Sequence, residues 1–302
     1  MSDIKLFRTG PQGVAELKGQ SLALERSLQA LMEKNLETLL GVRFLASEYS
    51  TGAKHKGRID TLGIDENRCP VIIEYKRTTN ENVISQGLFY LDWLMDHQAE
   101  FKLLVLDKLG KKEADGIEWS GPRLLCIAGD FTRYDEHAVR QMNRNIELIR
   151  YRHFPDGFLI LERVNAVSAE AVLPVSGTSS PKHQAKTVSE YLAQASEPLK
   201  ELYLALEDLL LAMGDDVEKK VLKHYIAFKR IKNFACVELK VQTNGLVIYC
   251  KCPPTPGNII EGFTRDLSNV GHFGTGDFEI TVRSRDDLSR AQRFFELSYQ
   301  EN

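Results

Sequence analysis

The sequence has no uninterrupted apolar run approaching the ~18 residues that a membrane-spanning helix requires, so no membrane association is expected. Its start, Met-Ser-Asp-Ile-Lys, offers neither an apolar signal stretch nor a glycine for acylation, and the expected location is cytoplasmic. Cysteine is sparse: Cys69, Cys126, Cys236, Cys250 and Cys252 are an odd number spread widely, and they read as reduced thiols rather than a disulfide framework. Cys250 and Cys252 share a strand face with Leu246 and Ile248, the setting of buried apolar cysteines rather than of zinc ligands. Positive charge is not in surplus either. A formal charge of -3 and a pI of about 6.2 exclude a histone-like or tail-driven nucleic-acid binder. Also missing are a G-x-S-x-G elbow, a P-loop, a dinucleotide-binding glycine pattern after a strand, and any metalloprotease spacing of histidines.

What is present is an ordinary globular composition, 302 residues with 43% hydrophobic and 27% charged side chains, enough for two domains that each bury a core. Residues 165–187 are small and polar with two prolines and no period, which predicts a linker between a first domain, 1–164, and a second, 188–302. The expected fold is α/β, a mixed β-sheet flanked by helices, followed by a smaller α+β domain. In the first, a helical stripe from Leu22 to Leu40 ends at Gly41, strands follow at 42–49, 57–64 and 70–76, and a helix spans 82–109 with a break near His97. In the second, the spacing predicts a long helix over 188–213, a basic helix over 217–232 and a further helix over 258–267. Positive charge gathers at Lys54, Lys56 and Arg58, at Arg140, Arg144, Arg150 and Arg152, and between Lys219 and Lys232. Were 217–232 helical, Lys219, Lys223 and Arg230 would point outward together, as a phosphate-tracking surface or as a solvated face on a domain that dimerises the chain.

Chemistry concentrates in the hairpin. With its turn near Asn67, Asp60 stands opposite Glu74, and strand alternation puts Lys76 on the same face while Val71, Ile73 and Tyr75 turn to the other. Two carboxylates and an ammonium suit phosphodiester hydrolysis, in which carboxylate oxygens hold Mg²⁺ and the lysine orients or deprotonates water or stabilises developing charge. Other acidic-x-lysine triplets, at 16–18, 218–220 and 238–240, lack a partner hairpin carrying an aspartate. Gln86 and Tyr90 lie one helical turn apart and can reach the same patch or cap and pack their helix. Arg58 has two readings, a phosphate contact and an ion pair with Glu74 or Asp65.

These residues resemble the PD-(D/E)xK nuclease superfamily, with Asp60 at its first acidic position and Glu74-Tyr75-Lys76 as its E-x-K. Gly57-Arg58-Ile59-Asp60 looks like the catalytic domain of the NucS endonuclease group, and Gln86 with Tyr90 matches the Q-x-x-x-Y element of the RecB-like branch. Ile59 departs from the superfamily's named proline. The resemblance, over roughly 22–164, implies a restriction-endonuclease-like fold and a Mg²⁺- or Mn²⁺-dependent DNA endonuclease acting in repair or defence. Asp60 and Glu74 would be the metal ligands, assisted by a glutamate of the N-terminal helix, Glu33 or Glu37. Asp60, Glu74, Lys76 and Gln86 would be catalytic, with Arg58, Lys54, Lys56 and Tyr90 meeting the nucleic acid; RNA stays open as a substrate. The alternative is a non-cleaving nucleic-acid binder or a partner-regulated interaction protein. Residues 188–299 resemble a domain of unknown function, DUF5655, through Tyr225-Ile226-Ala227-Phe228-Lys229, the strands from Asn233-Phe234 to Val247, and the loop Gly271 to Asp277.

Overall fold

The computed structural model describes residues 4–11, 13–20, 25–76, 83–167, 187–272 and 274–302. The chain divides into two compact units, Met1–Glu170 and Ala171–Asn302. Most of the expected linker, 168–186, lies outside the described residues, as do Leu22, Leu24 and Phe273. Residues 165–167, assigned to the linker from sequence, instead finish a strand, where the Asn165 side chain donates to the Glu136 carbonyl.

The first unit opens with a hairpin the sequence reading omits, β1 (Leu6–Gly10) and β2 (Gly13–Leu17). The expected helix over 22–40 is two, α1 (Glu25–Lys34) and α2 (Leu36–Leu40), divided at Asn35, whose side chain takes the Leu31 carbonyl. Gly41 closes α2 in the left-handed region, with φ 64°. There follow β3 (Val42–Ser50), α3 (Gly52–His55), β4 (Arg58–Asp65), β5 (Pro70–Lys76), α4 (Val83–Asp96), α5 (Gln98–Leu109), α6 (Lys111–Asp115), β6 (Arg123–Ala128), α7 (Arg133–Arg140), β7 (Asn145–His153) and β8 (Leu159–Val167). The break between α4 and α5 falls at His97, as expected, and its Nδ1 lies 2.7 Å from the Trp93 carbonyl. Strands run in the order β3-β4-β5-β6-β7-β8, with β5, β6 and β7 parallel and the other pairs antiparallel. This is the mixed sheet flanked by helices. Leu62, Ile72, Leu124 and Cys126 form a core with Leu91 and Leu94 of α4. At Gly87 a Cβ would come 2.4 Å from a Leu124 methyl, so the glycine lets α4 lie close on the sheet.

The second unit contains α8 (Val188–Gln194), α9 (Glu197–Leu211), β9 (Glu218–Val221), β10 (Ile226–Lys229), β11 (Asn233–Lys240), β12 (Gly245–Cys250), β13 (Thr264–Asp266), β14 (Phe278–Val282) and α10 (Arg285–Gln300). Its antiparallel sheet is ordered β13-β14-β12-β11-β10-β9. Leu199, Leu206 and Leu210 of α9 and Phe294 and Phe295 of α10 share a core with Val237, Ile248 and Ile280 of the sheet.

Three sequence expectations fail here. The helix over 188–213 restarts at Ser196, whose hydroxyl accepts the Leu199 N–H just before Pro198. The basic helix over 217–232 is the β9/β10 hairpin: Ile226, Ala227 and Phe228 are consecutive and fully buried, which a strand covered on both faces satisfies and a helix at a domain surface does not. The helix over 258–267 is a turn leading into β13, closed by the Thr264 hydroxyl between the Ile260 N–H and the Asn258 carbonyl.

Candidate active site

The turn sets the register. One Asp65 carboxylate oxygen accepts the N–H groups of Asn67 and Cys69, and β4 pairs with β5 as Ile64 to Pro70, Gly63 to Val71, Leu62 to Ile72 and Thr61 to Ile73. One step further, side chains replace main-chain carbonyls. The Asp60 N–H donates to Glu74 Oε1 at 3.2 Å, and the Tyr75 N–H donates to Asp60 Oδ2 at 2.9 Å. The register expected from sequence thus brings these two carboxylates together at the end of the hairpin, while the Gln29 side chain of α1 clamps the Asp60 carbonyl at 2.8 Å. Lys76, half-buried at the end of β5, is close enough for its charge to act on both acids.

Glu74 is fully buried and, among the described residues, its Oε2 has no hydrogen-bond partner. Burial first, and the neighbouring Asp60 second, push its carboxyl up to about 9. Asp60 is also held above the usual carboxylate range by burial, against the opposing pull of the Tyr75 N–H and Lys76. A carboxyl raised on folding binds its proton more tightly folded than unfolded, so this contribution to stability is full below about 4.5 and is lost as the pH rises towards about 9. Urea unfolding in EDTA, followed by tryptophan fluorescence, is therefore expected to give lower stability at pH 8 than at pH 5. Glu74→Gln should remove most of that slope and exceed wild type at pH 8 by roughly 2 kcal/mol. Parallel pH curves for the two proteins would contradict this account.

A buried carboxylate oxygen without a partner, facing a second carboxylate, is a donor set that needs a positive charge once both are ionised, and hard oxygen donors suit Mg²⁺ or Mn²⁺. Asp60 and Glu74 are the residues that could hold one. Among the described residues, no three His, Cys, Asp or Glu side chains are already gathered around a common point.

Glu74 is buried and outside the lining, but Asp60 and Lys76 line a cleft of about 1070 Å³ formed from α1, β3, β4, β5 and α4. Gln86 and Tyr90 of α4 face it, and the Tyr90 hydroxyl accepts the Gln86 amide and the Arg58 N–H, each at 3.1 Å. With both lone pairs engaged, the Tyr90 hydroxyl proton is left to donate elsewhere. Gly57 permits this approach, since a Cβ there would sit 2.5 Å from the Tyr90 ring. Lys56 also lines the cleft; the side chain of Lys54 lies outside what is described.

Two expectations change. Arg58 pairs with Glu48 of β3, not with Glu74 or Asp65, the latter being taken by the buried Arg123. Neither Glu33 nor Glu37 lines the cleft: Glu33 accepts from the Thr61 hydroxyl at 2.6 Å and from Gln29 at 3.1 Å, and Glu37 is exposed on α2. The first turn of α1, not its last, adjoins the cleft, so the acid it contributes is Glu25. Glu25, Gln29 and Glu33 recur at helical spacing, a stripe the sequence displays. Glu48 has no such signal.

Elsewhere the basic segments turn inward. Arg150 is buried between Asp130 and Glu162, and Arg152 donates to the Ile4 carbonyl, whereas Arg140 and Arg144 are exposed. Lys219 pairs with Glu207 at 2.6 Å, Arg230 with Asp216 at 2.6 Å, and Lys229 is buried, so Lys219, Lys223 and Arg230 make no shared helical face. All five cysteines are buried as reduced thiols, and Cys252 Sγ donates to the Phe294 carbonyl.

The family described as a domain of unknown function, DUF5655, matches residues 188–302, in keeping with the resemblance drawn from sequence. An uncharacterized protein of Haemophilus influenzae is 30% identical over 293 residues, covering 93% of this chain and 94% of the relative. Among solved structures, a repair endonuclease from Pyrococcus abyssi is 17% identical with a TM-score of 0.29, over 45% of this chain and 51% of that one. An EndoMS complex with double-stranded DNA is 19% identical with a TM-score of 0.25, over 43% and 47%. The chain thus spans about half the length of each of these solved structures. No described helix is long and apolar enough to cross a membrane.

Proposed function

This chain belongs to one family with the uncharacterized Haemophilus influenzae protein, and for it we propose a Mg²⁺- or Mn²⁺-dependent DNA endonuclease of the PD-(D/E)xK type, seated in the first unit. One observation carries the reading: Asp60 and Glu74 are tied to each other's strand through backbone N–H groups, and Asp60 and Lys76 line an open cleft with Glu74 buried behind that lining. Asp60 and Glu74 hold the cation, which when bound supplies neutralisation of phosphate charge and a more acidic attacking water. In the hydrolysis, the water oxygen bonds to phosphorus as the phosphorus–oxygen bond to the leaving strand end breaks. Lys76 orients or deprotonates that water or stabilises the charge that builds on the phosphate. Arg58 and Lys56 at the rim meet the backbone phosphates, and the Tyr90 hydroxyl, oriented by Gln86, donates into the cleft. The second unit has no comparable acid, base and metal set among its described residues, and its assigned role is substrate selection or self-association.

Cleavage assays of the full chain on single-stranded, duplex, branched and mismatched DNA and on RNA, each with Mg²⁺, Mn²⁺ or EDTA, test this. Cutting of at least one DNA with a divalent cation and none in EDTA is the expected result. Lys76→Ala should slow it about a hundredfold, the range of a lost transition-state donor, while still binding Mn²⁺. Binding without cleavage on every substrate would refute the enzymatic reading.

A further inference from the structure

We propose that Glu48 is a third carboxylate of the cation site, for which Arg58 competes through an exposed ion pair until a phosphate draws the arginine away. The inference rests on the assignment of Asp60 and Glu74 as the cation pair. Glu48 faces Asp60 across β3 and β4, bracketed by the pairs Ser47 to Thr61 and Tyr49 to Ile59, and its side chain lines the same cleft. Its backbone lies at φ 52° in the middle of a strand, a left-handed conformation that glycine or asparagine adopts readily and glutamate does not. Strain of this kind persists where the direction of a side chain matters.

The present partner of Glu48 is the Arg58 guanidinium. The pair is open to solvent, the arginine side chain 69% and the glutamate 40% exposed, so it is weakly held and exchangeable. Close enough to Glu48 to feel its charge, the fully buried Glu74 has an Oε2 with no hydrogen-bond partner among the described residues. That orphaned oxygen is a separate sign that a positive ligand belongs there. The two halves of the ion pair match the two halves of a loaded site: guanidinium pairs with phosphate oxygens, and carboxylate with a divalent cation. Exchange of partners on loading would give Glu48 to the cation and Arg58 to the nucleic acid, with no charged group left unpaired.

Mn²⁺ binding to the full chain without nucleic acid, read from the electron paramagnetic resonance of the free ion, tests this apart from activity. Glu48→Gln should weaken binding about tenfold by removing one charged oxygen ligand. Glu48→Asn, which relieves the backbone, should weaken it as much while raising the melting temperature. Arg58→Ala should tighten binding about two- to fivefold, the scale of an exposed ion pair removed, and the double variant should resemble Glu48→Gln. Wild-type affinity in both Glu48 variants, with affinity lost in Asp60→Asn, overturns the role of Glu48 alone. Unchanged or weaker binding in Arg58→Ala overturns the exchange. No Mn²⁺ binding by wild type, or none lost in Asp60→Asn, overturns the cation pair on which all of it stands.

Discussion

Asp60→Asn or Glu74→Gln is expected to reduce cleavage by at least about a thousandfold while leaving DNA affinity within a few-fold of wild type. The asymmetry follows from where the two properties reside. In the proposed hydrolysis, turnover needs both carboxylates charged and on the cation, and an amide in either place is a weaker, neutral ligand. Affinity, on the same reading, comes mainly from phosphate contacts by basic side chains such as Lys56 and Arg58, which line the cleft and which these changes leave in place. The amides are chosen because each keeps an oxygen to accept the main-chain N–H that closes the hairpin, from Tyr75 in one case and from Asp60 in the other. Single-turnover cleavage and fluorescence anisotropy on the same labelled DNA measure the two quantities together. A wild-type rate in either variant would remove the pair from the chemistry, and parallel loss of affinity would make it a binding element.

The largest loss of stability is expected at Arg123, far along the hairpin from the cleft. Its guanidinium is buried between Asp65, 2.9 Å away, and Glu147, 2.8 Å away, and the second oxygen of Asp65 closes the turn that sets the register. Arg123→Ala strands two buried carboxylates without a cation, a change that costs about 3–5 kcal/mol. The two tryptophans, Trp93 and Trp119, both lie in the first unit, so urea unfolding followed by their fluorescence reports on that unit. A shift below about 1 kcal/mol would mean that water reaches the triad and screens it. Asp65→Asn should lose less, since an amide oxygen still accepts the turn N–H groups.

The hairpin was legible because three signals coincide there: a run rich in apolar and β-branched residues along 59–64, a polar turn at 65–68, and an apolar run from Pro70 interrupted only by Glu74. The pairing of Asp60 with Glu74 follows from the turn position alone. The opening hairpin β1/β2 escaped because nearly all of its residues are exposed, so burial imposes no alternation on its sequence. The stretch 217–232 misled for the opposite reason. Its lysines recur at spacings a helix also allows, and only the position of β10 between β9 and β11 fixes the period as two. Glu48 could not be found from sequence, because its importance lies in a main-chain angle and in a neighbour, Arg58, that the fold alone brings to it. Glu25 fell outside the choice between Glu33 and Glu37 because the spacing shows a stripe on α1 but not which end of it lines the cleft.

Strand β9 is the last of its sheet, and its outer main-chain groups face no neighbour within that sheet. An edge left this way is a template on which another extended chain can add itself, the route to fibrous aggregates. Lys219 and Lys220 stand on that edge, beside Glu218. Charged side chains on an edge strand make it a poorer template for a second extended chain. Charge that in the sequence suggested a grip on nucleic acid thus stands where it discourages edge-to-edge strand pairing.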